Sequence, residues 1–146
     1  MILKSYEIEK KLPNLSKHNL ILLYGENVGL KKEIRDKIKV EINKKDADAE
    51  FLSLYENEIL DDEEAFYNSI YSGSLFSNKK IITINNGTDK VAKYIEDIYL
   101  KFPENLILII FSNILERKSN LRAFFEKNDT ALCIPCYLDA SRDLEI

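Results

Sequence analysis

Short uninterrupted apolar runs alternate along this chain with stretches whose apolar residues recur every three or four positions. Leu106-Ile-Leu-Ile-Ile-Phe111 is the clearest run, and runs of this kind suit parallel strands covered on both faces, since neither side of them meets water. Read in this way, strands cover Leu20 to Tyr24, Glu50 to Tyr55, Ile81 to Asn85, Leu106 to Phe111 and Thr130 to Pro135. After the first of them Leu30, Ile34, Ile38 and Ile42 repeat at i+4 and form one stripe, with Lys31, Lys32, Arg35, Lys37 and Lys39 off it. That pattern predicts an amphipathic helix.

Four more helices follow from the same periodicity and from stop and start signals. One runs from Tyr6 to Leu12 and stops at Pro13. Asp61 with Glu64 reads as a variant capping box that opens a helix through Phe66 and Ile70, which Gly73 is placed to end. Another begins near Thr88, turns Val91, Ile95 and Ile98 inward and ends before Pro103, and a shorter one runs from about Ser119 through Leu121, Phe124 and Phe125. Strands alternating with helices predict an α/β fold, a three-layer, five-stranded parallel sheet with helices on both faces. Pro135 cannot donate to a ladder, so the fifth strand belongs at an edge or ends there. No repeat or Gly/Ser linker divides the sequence, and residues 1–146 read as one domain.

Composition narrows the function classes. The chain has 146 residues and a formal net charge of −4, so no overall attraction to nucleic acid or an anionic membrane follows, and any such contact is local. The apolar runs are too short to cross a bilayer, and Met1-Ile-Leu-Lys-Ser lacks the order of a signal peptide, which makes a cytoplasmic protein the default. Seven Lys/Arg against three acids between Lys31 and Lys45 describe a solvated helix face, with a weak phosphate contact as the minority reading. The acid-rich stretch from Glu56 to Glu64 reads as a solvated loop and helix start.

Cys133 and Cys136 form a lone CxxC that resembles a redox motif. Redox pairs sit at a helix N-terminus, where the dipole lowers the thiol pKa, whereas these lie in a strand-like run and point to opposite faces. They read as structural thiols, with thiol oxidoreductase chemistry as the distant alternative. His18 is far away in sequence, and no metal site is expected.

The stretch from Leu22 to Glu33 opens with apolar residues, breaks at Gly25 and turns basic, as a phosphate-gripping loop does. A Walker A loop requires G-x-x-x-x-G-K-[ST], so that amides wrap the phosphates, the Lys reaches them and a hydroxyl binds magnesium. Counted from Gly25, past Gly29, the second Gly falls on Leu30, the Lys on Lys31 and the hydroxyl on Lys32. The acid that should end an inner strand and hold magnesium is replaced by Asn85-Asn86, which neither neutralises a metal nor acts as a base. Gly25, Gly29, Leu30, Lys31 and Lys32 are therefore expected to form a non-functional remnant of a phosphate loop. A P-loop ATPase with an eroded motif is the alternative.

Tyr71-Ser-Gly-Ser-Leu-Phe-Ser-Asn-Lys-Lys80 places Leu75 and Phe76 side by side in a polar turn. Such a pair either tucks into the protein's own core, the commoner outcome, or is held out for a partner. Here the chain resembles a family. Leu22-Leu-Tyr-Gly-Glu26, Gly73-Ser-Leu-Phe-Ser-Asn-Lys-Lys-Ile-Ile-Thr-Ile84, the run from Leu106 to Phe111 followed by Arg117-Lys-Ser-Asn-Leu121, and Ile134-Pro-Cys-Tyr137 together resemble the delta subunit of the bacterial DNA polymerase III clamp loader.

The resemblance implies an AAA+-like domain that binds no nucleotide and needs no cofactor, a non-catalytic part of the polymerase holoenzyme in DNA replication. It implies that Ser74, Leu75 and Phe76 contact the sliding clamp (the beta subunit), Leu75 and Phe76 filling an apolar pocket, and that the domain favours the open ring. Tyr71 stands where some members carry Gln. Further implied partners are the gamma/tau and delta prime subunits, and DNA indirectly through the complex, with no membrane contact. Members are longer and continue into a lid and a collar, so this chain is expected to be the N-terminal part of such a subunit.

Overall fold

The computed structural model describes residues 1–13, 18–72 and 79–138. Its frame is a five-stranded, all-parallel sheet of β1 (Leu20–Tyr24), β2 (Glu50–Tyr55), β3 (Lys80–Asn85), β4 (Leu106–Phe111) and β5 (Ala131–Pro135), in the order β2-β3-β4-β1-β5. The inner strands β1 and β4 are apolar throughout because both their faces are covered, and β3 adds Lys80, Thr83 and Asn85 to the same pattern. Leu20, Leu22, Ile82, Ile84, Leu108 and Ile110 face one apolar cluster, and Ile21, Leu23, Ile81, Ile107 and Ile109 face the other. The edge strand β2 is only half-buried and alternates accordingly.

Among the described residues, two α-helices cover one face and four the other. A 3-10 turn at Ser5–Glu7 leads into α1 (Ile8–Lys11), which with the long α2 (Val28–Lys45) packs Ile8, Ile34, Ile38 and Ile42 on the first face. On the second lie α3 (Glu56–Asp61), α4 (Glu63–Tyr71), α5 (Ala92–Leu100) and α6 (Asn120–Lys127), through Ile59, Phe66, Ile70, Ile95, Ile98, Leu121 and Phe125. Thr88 and Ser119 cap the turn before α5 and the start of α6, as their positions predict. Pro135 closes the edge strand β5.

The departures from the pattern are instructive. The acidic stretch after β2 is not a loop. Residues 56–61 form α3, because Ile59 fills the core and the Glu56 carboxylate accepts hydrogen bonds from Thr88 N and Oγ1 at 2.8 and 2.9 Å. The cap of the next helix accordingly moves from Asp61 to Asp62, whose Oδ1 accepts from Ala65 N at 3.0 Å. Lys31 does not lie on a solvated face but is buried, and Leu30 at the head of the stripe is only half-buried. Nothing in the periodicity points to Met1, whose ammonium donates to Phe125 O, Asn128 O and Ala131 O at 2.7, 2.7 and 2.9 Å and closes the end of α6. The stop expected at Gly73 lies outside the described residues.

Candidate functional site

Two junctions carry the chemistry that the sequence singles out. The first is the turn between β1 and α2. Gly25 adopts φ 117°, and a Cβ on it would lie 2.2 Å from Cys136 O. Chain segment 136–138 crosses the turn at this point. Cys136 N donates to Tyr24 O at 2.6 Å, Asn27 N to Cys136 O at 3.1 Å, Asn27 Nδ2 to Tyr137 O at 3.2 Å and Leu138 N to Glu26 Oε1 at 2.9 Å. The Leu138 N–H holds the Glu26 carboxyl below its usual range.

Two further amides at the turn are also directed at protein acceptors. Gly25 N donates to Asn113 O at 3.0 Å and Leu30 N to Asn27 Oδ1 at 3.1 Å. Gly29 lies exposed in the first turn of α2 and Lys32 is exposed beside it. Lys31 is 4% exposed and its Nζ donates to Ser112 O at 2.9 Å, beyond the end of β4. Burial lowers its pKa, against the opposing influence of Cys136 and Glu26. Across from the turn, Asn85 Nδ2 donates to Ser53 Oγ and Leu54 O at 2.8 and 3.0 Å, toward the edge strand β2. Asn86, at φ 59°, begins the turn that Thr88 and Glu56 secure. The site sets residues 136–138 against the Gly25 turn and buries the Lys31 ammonium on Ser112 O.

Cys133 lies in β5 and Cys136 directly after its end. Cys133 belongs to one core cluster and Cys136 to the other, both are buried, and neither is in a disulfide. Burial pushes the Cys133 thiol up to about 12, the wrong direction for a nucleophile. No cluster of three or more His, Cys, Asp or Glu among the described residues could hold a metal ion, and no helix among them is long and apolar enough to cross a membrane.

The second junction is the passage from α4 to β3, which flanks the Ser-Leu-Phe segment. Ser74, Leu75 and Phe76 themselves lie outside the described residues. Lys80, the first residue of β3, is 7% exposed, and its Nζ donates to Ser69 O, Ser72 O and Ser72 Oγ at 2.7, 2.8 and 3.2 Å. Ser69 O and Ser72 O are carbonyls of the last turn and C-cap of α4, the negative end of the helix dipole, and Ser72 Oγ adds a hydroxyl acceptor. The helix itself is held by its aromatic side, where Tyr67 Oη donates to Asp97 at 3.1 Å and Tyr94 Oη to Glu63, linking α4 to α5. Sequence reasoning passed over Lys80. The one signal available was a lysine directly before the apolar run Ile81-Ile82 of an inner strand.

The model of the family described as DNA polymerase III, delta subunit, matches residues 21–136. The fold is similar to that of the DNA clamp loader delta protein of Bacillus subtilis, with a TM-score of 0.72 at 14% identity, over 97% of this chain and 45% of that one. It is also similar to a DNA polymerase III gamma subunit-related protein of Thermotoga maritima, with a TM-score of 0.56 at 15% identity, over 94% of this chain and 48% of that one. The chain thus spans about half the length of the solved chains it matches. No curated protein matches it. The family match runs from the second residue of β1 to Cys136 over the Gly25 turn, so it takes in all five strands but for Leu20, and the chain belongs to the DNA polymerase III delta subunit family.

Proposed function

We propose that this chain is the part of a clamp-loader delta subunit that grips the sliding clamp through Ser74, Leu75 and Phe76 and favours the open ring, without turning over nucleotide itself. The observation that carries the reading is the family match over residues 21–136, which spans the Ser-Leu-Phe segment. Leu75 and Phe76 follow Ser74 in an otherwise polar stretch between α4 and β3. Burying two such side chains in a pocket of the clamp contributes roughly 3–6 kcal/mol before ordering costs. A ligand shifts a closed-to-open equilibrium only through its different affinities for the two states, so the grip has to be tighter on the open ring. In a longer subunit the gamma/tau and delta prime subunits would be neighbours and would supply the ATP-driven steps, and DNA would be met through the assembly.

On this reading Gly25, Gly29, Leu30, Lys31 and Lys32 are scaffold. Supporting it, the amides of Gly25, Asn27 and Leu30 already donate to protein oxygens, and Lys31 donates to Ser112 O. One binding experiment tests both halves. Titrating the chain against the purified sliding clamp, with and without magnesium-ATP, is expected to give one affinity in both conditions. The Leu75→Ala/Phe76→Ala double variant is expected to bind more than about a hundredfold more weakly, the equivalent of about 3 kcal/mol. Unchanged binding by the double variant sinks the contact, and an affinity that depends on ATP sinks the scaffold reading.

A further inference from the structure

We infer that Lys80 is a positioning residue for clamp binding, holding the end of α4 to the start of β3 so that the segment between them is presented from a fixed base. The inference rests on the proposed role of Leu75 and Phe76. Lysine is almost never buried without partners. Lys80 is buried, and its three N–H donors go to Ser69 O, Ser72 O and Ser72 Oγ rather than to a carboxylate. The ammonium satisfies two of the carbonyls that the last turn of the helix leaves open.

The neighbouring backbone shows what this contact connects. Lys80 N donates to Asn105 O at 2.9 Å and Glu50 N to Lys79 O at 3.0 Å, which fastens residues 79 and 80 into the sheet between β2 and β4. Ser72 N donates to Asn68 O at 2.9 Å, which keeps residue 72 on the helix. One side chain therefore joins the last described residue before the Ser-Leu-Phe segment to the sheet residues directly after it. An apolar side chain would fill the same space without the cost of removing a charge from water. What the ammonium adds is direction, since three bonds fix both the distance and the angle between helix end and strand start. Fixing the ends of a binding segment beforehand reduces the ordering cost paid on association.

Lys80→Met keeps the aliphatic stem and removes the donors. With the purified sliding clamp as probe, at a temperature where every variant is folded, it is expected to weaken binding about tenfold and to speed amide exchange at Ser72. Lys80→Arg, which retains charge and donors, is expected to recover part of the affinity. Ile34→Val, on the opposite face of the sheet, serves as a destabilised control and is expected to bind as the parent does. If Lys80→Met binds within twofold of the parent while Leu75→Ala/Phe76→Ala has lost binding, the positioning role is overturned and the contact stands. Equal weakening by Ile34→Val also overturns it, because general loss of stability then accounts for the effect. If the double alanine variant binds normally, the contact fails and the role of Lys80 falls with it.

Discussion

Gly25 shows how much one residue carries at the first junction. Its φ of 117° suits glycine, and the space where a Cβ would stand is taken by Cys136 O at 2.2 Å, backbone that cannot swing aside. Gly25→Ala is therefore expected to cost about 3 kcal/mol or more, combining backbone strain with the displacement of segment 136–138. Gly29 provides the contrast, since a Cβ there meets nothing nearer than Asn27 Oδ1 at 3.8 Å and the residue sits in α2. Gly29→Ala should stabilise by about 0.5–1 kcal/mol. Urea unfolding of both variants checks the pair, and a Gly25→Ala chain within about 0.5 kcal/mol of the parent would show that the crossing segment yields easily. Both glycines were visible in the sequence as parts of a loop. That Gly25 makes room for a carbonyl of the protein itself was not, because Cys136 follows it by more than a hundred residues.

At the scale of elements, the strands were legible because burial on both faces demands uninterrupted apolar runs, and β1, β2 and β4 have the predicted ends. The acidic stretch was misread for a definite reason. Charge density argues for solvent, but the Glu56 carboxylate accepts from both donors of Thr88, its N–H at 2.8 Å and its Oγ1–H shared between the two carboxylate oxygens at 2.9 and 3.0 Å, in a turn that follows β3. Once Glu56 starts α3, the chain has to break and restart at Asp62. Asp62→Ala is accordingly expected to lose about 0.5–2 kcal/mol with the cap of α4, while Asp61→Ala, at the end of α3, is expected to change stability by less than about 0.5 kcal/mol. Thermal melting of the two variants decides which aspartate is the cap.

For the whole molecule, the buried and carboxylate-bonded hydroxyl and thiol groups set the response to alkali. Burial raises Cys133 from 9.0 to about 12. Burial and the bond to Asp97 raise Tyr67, and the bond to Glu63 raises Tyr94, each from 10.0 to about 12. Tyr24 moves up as well, through burial and its contact with Tyr137. Between pH 9 and 12 the unfolded chain gives up these protons while the folded chain keeps them, so stability falls as pH rises through that window. Below pH 9 both states hold the protons and the effect vanishes. Urea midpoints measured from pH 7 to 11 are expected to stay level to about pH 8.5 and then decline; a level profile to pH 11 would contradict the raised values. In acid, burial alone would raise Asp89, but hydrogen bonds from Ser119 Oγ and the Leu121 and Asn120 amides outweigh it and hold the carboxyl low. Its contribution is present above 3.8 and lost as pH falls below it.

By itself the sequence determined the alternation of strands and helices, the helix starts near Thr88 and Ser119, the opposite facing of Cys133 and Cys136, and the loss of the residues that a phosphate loop requires. These are local properties, set by side-chain periodicity and by groups within one turn of each other. Only the tertiary structure decided where the charged side chains find their partners. Lys31 reaches Ser112 O, Glu56 receives Thr88, Lys80 closes α4, and Glu26 holds Leu138 N. The reason is physical: a buried charged group needs hydrogen-bond partners, and those of Lys31 and Glu56 come from segments that only the folded chain brings beside them, beyond the reach of local periodicity.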